Sequence, residues 1–239
     1  MRTLLTSLLN TVLACTLVFS TLASSHQLTV HLPNQKLNLN YMLPSQLSQV
    51  IADTQAQYKE ALFFEGGVLA STKQQAKVDG LKHSIFKRLT RENSEQSLHL
   101  LNQLKAMHFV GREWVSLDYD LVRLKPELDP LLSGRYDFYV SPRNNQVRIL
   151  GHVKNPTHTP LLDSRDLTAY LNSLELSEFG DLDQTYIIHA NGDLIQTKLG
   201  YWQPDRYYIS PSSKIFIGSR DTPETNKDIA QLLRYAVDK

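Results

Sequence analysis

The chain has 239 residues, with 25 Lys and Arg against 24 Asp and Glu, 8 His and a single Cys. So balanced a surface argues against nucleic-acid binding, because affinity for a polyanion comes mainly from clustered cations that release counterions. One cysteine cannot build a disulfide scaffold or a Cys-based zinc site.

At the N-terminus Arg2 precedes an apolar run over residues 4–19, broken by Thr, Ser and Asn, with small residues at Thr21-Leu22-Ala23 or Ala23-Ser24-Ser25. This pattern predicts a secretory signal peptide over residues 1–25. The uninterrupted apolar stretch falls short of the roughly 20 residues of a membrane-spanning helix. Val12-Leu13-Ala14-Cys15 loosely matches a lipoprotein box, but the apolar run continues through Phe19, whereas a lipidated cysteine normally ends it. The expected mature chain therefore has no cysteine, no transmembrane segment, and 24 basic against 24 acidic side chains once Arg2 is removed.

Residues 26–145 open with a predicted hairpin. Leu28, Val30 and Leu32 alternate with polar partners, Pro33-Asn34 turns, and Leu37, Leu39 and Tyr41 alternate again. Pro44-Ser45 then opens a helix with Leu47, Val50, Ile51 and Thr54 on one face. Strands that return to this sheet are expected at 113–117, around 121–124 and at 137–140.

Between them, about residues 68–108 read as an inserted α-helical hairpin. Val78, Leu81, Ile85 and Leu89 form one stripe, polar Arg91-Glu92-Asn93 interrupts it, and Leu98, Leu101, Leu104 and Met107 form a second. Ser94 with Ser97, or Asn93 with Gln96, can cap the second helix.

Residues 146–218 repeat the opening pattern more clearly. Val147, Ile149 and Leu150 precede a break at Gly151, a short strand is expected near 160–162, and Asp163 or Ser164 can cap a helix carrying Leu167, Tyr170, Leu171 and Leu174. The runs 185–189 and 194–198 flank Asn191-Gly192, which tolerates the positive φ of a tight hairpin turn. A closing strand at 214–217 follows Pro211-Ser212-Ser213. The order ββαβββ suits a curled sheet laid over one helix, a β-grasp module. Residues 219–239 predict a C-terminal amphipathic helix with Pro223 in its first turn and Ile229, Leu232, Leu233, Ala236 and Val237 as its stripe.

The fold class expected is α+β: two β-grasp (ubiquitin-like) domains, 26–145 and 146–218, the first split by the helical hairpin, followed by the terminal helix. The ordered set Gly111-Arg112, Leu117-Asp118, Leu128-Asp129-Pro130-Leu131, Gly134-Arg135-Tyr136-Asp137, the Asn191-Gly192-Asp193 hairpin and Pro211-Ser212-Ser213-Lys214-Ile215 resembles the GfcC-like family of periplasmic capsule and exopolysaccharide biosynthesis proteins. The later part also resembles the soluble-ligand-binding β-grasp repeats of Wza-type polysaccharide export proteins, which usually carry Pro-Gly where this chain has Pro211-Ser212. The resemblance implies a periplasmic, non-enzymatic accessory protein that binds glycan or contacts outer-membrane export or assembly proteins. Two other classes fit the same residues: a polysaccharide-modifying enzyme and a small-solute-binding periplasmic protein.

No catalytic residue, metal site or cofactor is expected. The histidines show no His-Glu-x-x-His spacing, and neither a Gly-x-Ser-x-Gly elbow nor a phosphate-binding Gly-rich loop occurs. Asp118/Asp120 and Asp181/Asp183 fit turns better than a glycosidase pair. Arg112 is one candidate contact, since its five donors can bridge structure or bind an anion bidentately. Tyr201, Trp202 and Tyr207, with Arg206 nearby, form a second candidate group, able to stack on sugar faces or to brace a long loop.

Overall fold

The computed structural model describes residues 27–198 and 205–237. The expected signal peptide, Tyr201 and Trp202 lie outside the described residues.

Strands β1 (Leu28–Leu32) and β2 (Leu37–Tyr41) form the predicted antiparallel hairpin, with Leu32 opposite Leu37. The two-residue β3 (Ser45–Gln46) leads into α1 (Leu47–Ala56), whose Leu47, Val50, Ile51 and Thr54 are buried as the periodicity requires. Strand β4 (Val68–Ser71) then feeds α2 (Thr72–Glu92) directly, Ser71 accepting a hydrogen bond from Gln74 N as N-cap. Asn93 ends α2 in the left-handed region at φ 48, and Ser94 with Ser97 forms the capping box of α3 (Glu95–Lys105). Within α3, Leu98 is 40% exposed, while Leu100, Leu101 and Leu104 are buried. Leu101, Leu104 and Met107 of the predicted stripe are thus buried, with Leu100 joining them and Leu98 left outside.

After β5 (His108–Phe109) the chain departs from expectation. Among residues 113–117 there is no strand, and 121–124 lie in α4 (Tyr119–Leu124), capped by Asp118 accepting from Leu121 N at 3.0 Å. Alternation there could not serve a sheet, because Val122 is buried while Leu124 is 73% exposed. Strands β6 (Leu131–Leu132) and β7 (Gly134–Tyr139) follow. The first main sheet has the order β2-β1-β7-β4, with β1 and β7 parallel. Its fourth strand is β4, which opens the segment expected as the helical insertion and belongs instead to the first sheet.

Strands β8 (Gln146–Gly151) and β9 (Thr157–Pro160), α5 (Leu167–Leu171), then β10 (Thr185–Ile188), β11 (Leu194–Gln196) and β12 (Lys214–Ile217) reproduce the predicted ββαβββ order. Asp166, rather than Asp163 or Ser164, caps α5. The second sheet runs β11-β10-β12-β8-β9, with β8 and β12 parallel. Helix α6 (Pro223–Leu233) is docked, but the expected Ala236-Val237 end of its stripe is β13 (Ala236–Val237), paired with β5. The helix ends at Leu233 with Arg234 as C-cap, and Ala236 and Val237 find their backbone partners on His108-Phe109 instead.

Three large cores follow from this arrangement. One joins the first sheet to α1. Another joins Val147, Ile149, Ile187, Ile215 and Ile217 of the second sheet to α5. The third covers the opposite face of that sheet: Leu150, Tyr186, Ile188 and Phe216 pack with α2, α3 and α6. The second sheet is thus the middle of three layers, and all four residues of both β10 and β12 are buried.

Candidate functional site

The tip of the β10–β11 hairpin reaches the first half of the chain. Gly192 has φ +91, and Asn191 closes the turn by accepting from Asp193 N at 3.0 Å and donating through Nδ2 to Asp193 Oδ2 at 2.7 Å. Arg112 Nη2 donates to Ala190 O at 2.9 Å, and Arg234 Nε donates to Gly192 O at 2.8 Å. The fit is close enough that a Cβ on Gly192 would stand 2.7 Å from Cζ3 of Trp114 and 2.9 Å from Nη1 of Arg112. Glycine is required there for its φ and for this approach.

Trp114 is held on three sides yet remains 45% exposed. The Arg234 guanidinium lies 4.2 Å from its ring centroid, that of Arg112 lies 5.7 Å away, and Tyr235 meets it edge-on at 5.6 Å. Beside it opens a cleft of about 810 Å³, lined among others by Phe63, Arg112, Trp114, Arg143, Arg165 and His189. Arg143 stacks on Phe63 at 5.8 Å. Acidic Glu65, Glu113, Asp118 and Asp193 share the wall, so the cleft is mixed in charge.

Arg112 is 5% exposed, and its Nε has no hydrogen-bond partner among the described residues. Burial pulls its pKa down to about 10 and nearby Arg234 pulls the same way, while Asp193 and Tyr235 partly offset them. The guanidinium still carries its charge at neutral pH. A charged guanidinium in the wall of a cleft fits an anionic or strongly accepting ligand.

His189 Nδ1 lies 2.9 Å from Ser210 Oγ and 3.3 Å from Ser213 Oγ, and the two hydroxyls are 2.8 Å apart. Burial lowers the imidazole pKa, partly offset by Asp193. The Asp193 carboxylate is engaged by Asn191 within the turn. A hydrolytic triad would instead need a carboxylate orienting the imidazole on the nitrogen opposite the serine. Among the described residues no group of three or more His, Cys, Asp or Glu side chains could hold a metal ion.

Of the residues singled out by sequence, Arg112 lies in this cleft. Arg206 and Tyr207 are not part of its lining. The Tyr207 hydroxyl accepts from Lys198 N at 2.9 Å and donates to Asp205 at 3.3 Å, and its carbonyl accepts from Leu167 N at the start of α5. Arg206 is exposed. Trp114, Arg143 and Arg165 were not picked out by sequence. Trp114 was legible as a near neighbour of Arg112, but nothing in the local pattern brings Arg143 or Arg165 to it.

Fold and cleft together define an α+β protein whose main cleft lies where its two halves meet. The family model for the N-terminal part of the capsule biosynthesis protein GfcC matches residues 24–143, and that for its C-terminal part matches residues 155–237. The chain belongs to the GfcC family of capsule biosynthesis proteins. It is also similar to the uncharacterized protein YjbG of Escherichia coli (strain K12), at 26% identity over 188 residues, covering 73% of this chain and 77% of that protein. Among the described residues no helix is long and apolar enough to cross a membrane.

Proposed function

We propose that this chain is a periplasmic, non-enzymatic accessory protein of capsule or exopolysaccharide biosynthesis, built from two β-grasp domains (26–145 and 146–218) whose shared cleft binds a segment of acidic polysaccharide. Family membership supports the pathway. The order β2-β1-β7-β4, with its parallel central pair crossed by α1, supports the first module, and β11-β10-β12-β8-β9 with α5 supports the second.

The single observation that carries the binding reading is the half-exposed Trp114 ring beside the charged Arg112 guanidinium in the wall of the same cleft. An indole face stacks on the C–H face of a sugar ring, and guanidinium donors meet carboxylate or hydroxyl oxygens. Arg143 and Arg165 extend the cationic edge. A role in contacting outer-membrane export proteins is compatible with the same cleft being filled by a polymer in transit.

Calorimetric titration of the mature protein with purified acidic capsular polysaccharide tests the reading. Trp114→Ala and Arg165→Ala are each expected to weaken binding about tenfold or more, the loss of roughly 1.4 kcal/mol, with the unfolding midpoint unchanged in Arg165→Ala. Equal affinity in both variants sinks the cleft as the glycan site. Shortened or chemically altered polymer after incubation supports the polysaccharide-modifying enzyme instead.

A further inference from the structure

A second, smaller cavity of about 250 Å³ lies between the first turns of α3 and the segment that follows β8. Glu95, Gln96 and His99 line it from the helical insertion, and His152, Ser177 and Phe179 line it from the second half of the chain. It shares no lining residue with the Arg112 cleft.

Its polar groups are under-used. His99 Nε2 and Ser177 Oγ are buried without a hydrogen-bond partner. His152 is 1% exposed, and its Nε2 has a contact of 3.4 Å with Gln96 Nε2, at the long limit of a hydrogen bond. A buried polar atom without a partner costs about 1–3 kcal/mol. Two such groups, beside the weakly engaged His152 and Gln96, favour a ligand that brings several donors and acceptors close together. Across from them stand apolar Val153 and the Phe179 ring, the latter 6.4 Å from the His152 ring and edge-on to it.

We propose that this cavity is a binding site for one neutral sugar ring, whose hydroxyls meet His99, His152, Ser177 and Gln96 and whose C–H face lies on Phe179. The choice of a sugar among polyols rests on the polysaccharide reading above; the neutral, hydroxyl-rich character does not. No arginine lines the cavity, Glu95 stands in its wall, and Lys154 is engaged with Glu175 at 3.3 Å, so an anion finds little to hold it. Burial, with a smaller contribution from His99, lowers the His152 pKa to about 4, which leaves the imidazole uncharged and able both to donate and to accept. The volume is below the roughly 300–1,000 Å³ of sites for larger ligands, which suits a single ring rather than a run of sugars.

Imidazole nitrogen resonances of the mature protein, followed during titration with methyl α-glucoside, methyl β-galactoside, sodium glucuronate and Zn(II), test this. Saturable shifts at His99 and His152 are expected with a neutral glycoside, with Kd of roughly millimolar order for so few contacts. His99→Ala and Phe179→Ala should each weaken binding about tenfold without moving the unfolding midpoint. Ser177→Ala, a loop substitution, carries the test should either variant unfold. Absence of saturation by both glycosides at about 50 mM, saturation by glucuronate or Zn(II) alone, or wild-type affinity in the variants overturns the proposal. Polymer binding in the Arg112 cleft is read by calorimetry and sensed by Trp114, so either site can fail while the other stands.

Discussion

The two sheets share a plan, a parallel central pair flanked by antiparallel strands, but they are covered differently. The first has α1 on its core face, and its strands show it: β1 is buried at alternate residues, and β2 is largely exposed. The second is covered on both faces, by α5 on one side and by α2, α3 and α6 on the other. Two of those covering helices belong by sequence to the first half. The insertion is therefore less an ornament of the first sheet than the outer layer of the second, and it ties the two halves into one packed body.

The largest effect expected from breaking this arrangement is Leu232→Ala. Leu232 is fully buried in the core that α2, α3 and α6 share with the second sheet. Removing its side chain should cost about 2–5 kcal/mol, measured by urea unfolding. Hydrogen exchange should accelerate in α2, α3 and β10 together, and acceleration confined to α6 would show that the layers are not coupled as described.

A sharper contrast comes from two glycines at sheet ends. Gly151 closes β8 at φ +103, and a Cβ there would stand 2.1 Å from Ile217 O. Gly134 opens β7 at φ +90, and a Cβ there would meet nothing within 4 Å. Gly151→Ala should thus cost about 3 kcal/mol through strain plus collision, whereas Gly134→Ala should cost about 1 kcal/mol through strain alone. Similar losses in thermal and urea unfolding would mean that the second sheet gives way at this end more easily than its close packing implies.

Gln103 on α3 tests the fastening itself. Its Oε1 accepts from Gly151 N at 2.8 Å and its Nε2 donates to Gly151 O at 2.9 Å, so one side chain closes the end of β8 as a neighbouring strand would. Gln103→Ala leaves both backbone groups short of a partner and should cost about 1–3 kcal/mol. Faster exchange at the Gly151 amide, with β1 and β7 unaffected, is the expected signature.

Local pattern made the second half legible. Alternation, the Asn191-Gly192 turn and the helical stripe of Leu167, Tyr170 and Leu171 are all short-range signals that tertiary packing reinforces. The first half was harder because its last sheet strand, β4, is a four-residue run fused to a helix, separated from its partner β7 by the whole insertion. Residues 121–124 misled because Leu121, Val122 and Leu124 read as strand-like, whereas Asp118 in front of them is a helix cap. The cleft was legible at Arg112 and, beside it, at Trp114. Arg143, Arg165 and His189 come from three separate loops or strand ends, far apart in sequence, and only the tertiary arrangement brings them to one cleft.

The smallest expected effect concerns His152, at the seam between α3 and the second sheet. Burial first, and His99 second, bring its pKa down to about 4 in the folded chain, against about 6.5 when unfolded. Between pH 7 and pH 5 the unfolded chain takes up a proton that the folded chain refuses. Stability from this group is therefore fully present above pH 6.5 and is lost as pH falls toward 4. The loss by pH 5 should be on the order of 1–2 kcal/mol, and His152→Gln, which cannot titrate, should remove it. Urea unfolding of both proteins at pH 7 and pH 5 measures the difference. The acid sensitivity should be shallower in the variant, with exchange in the wild type rising first where α3 meets residues 151–154. An unchanged slope would assign the acid response to carboxylates elsewhere and would leave this seam held by Gln103 and apolar packing alone.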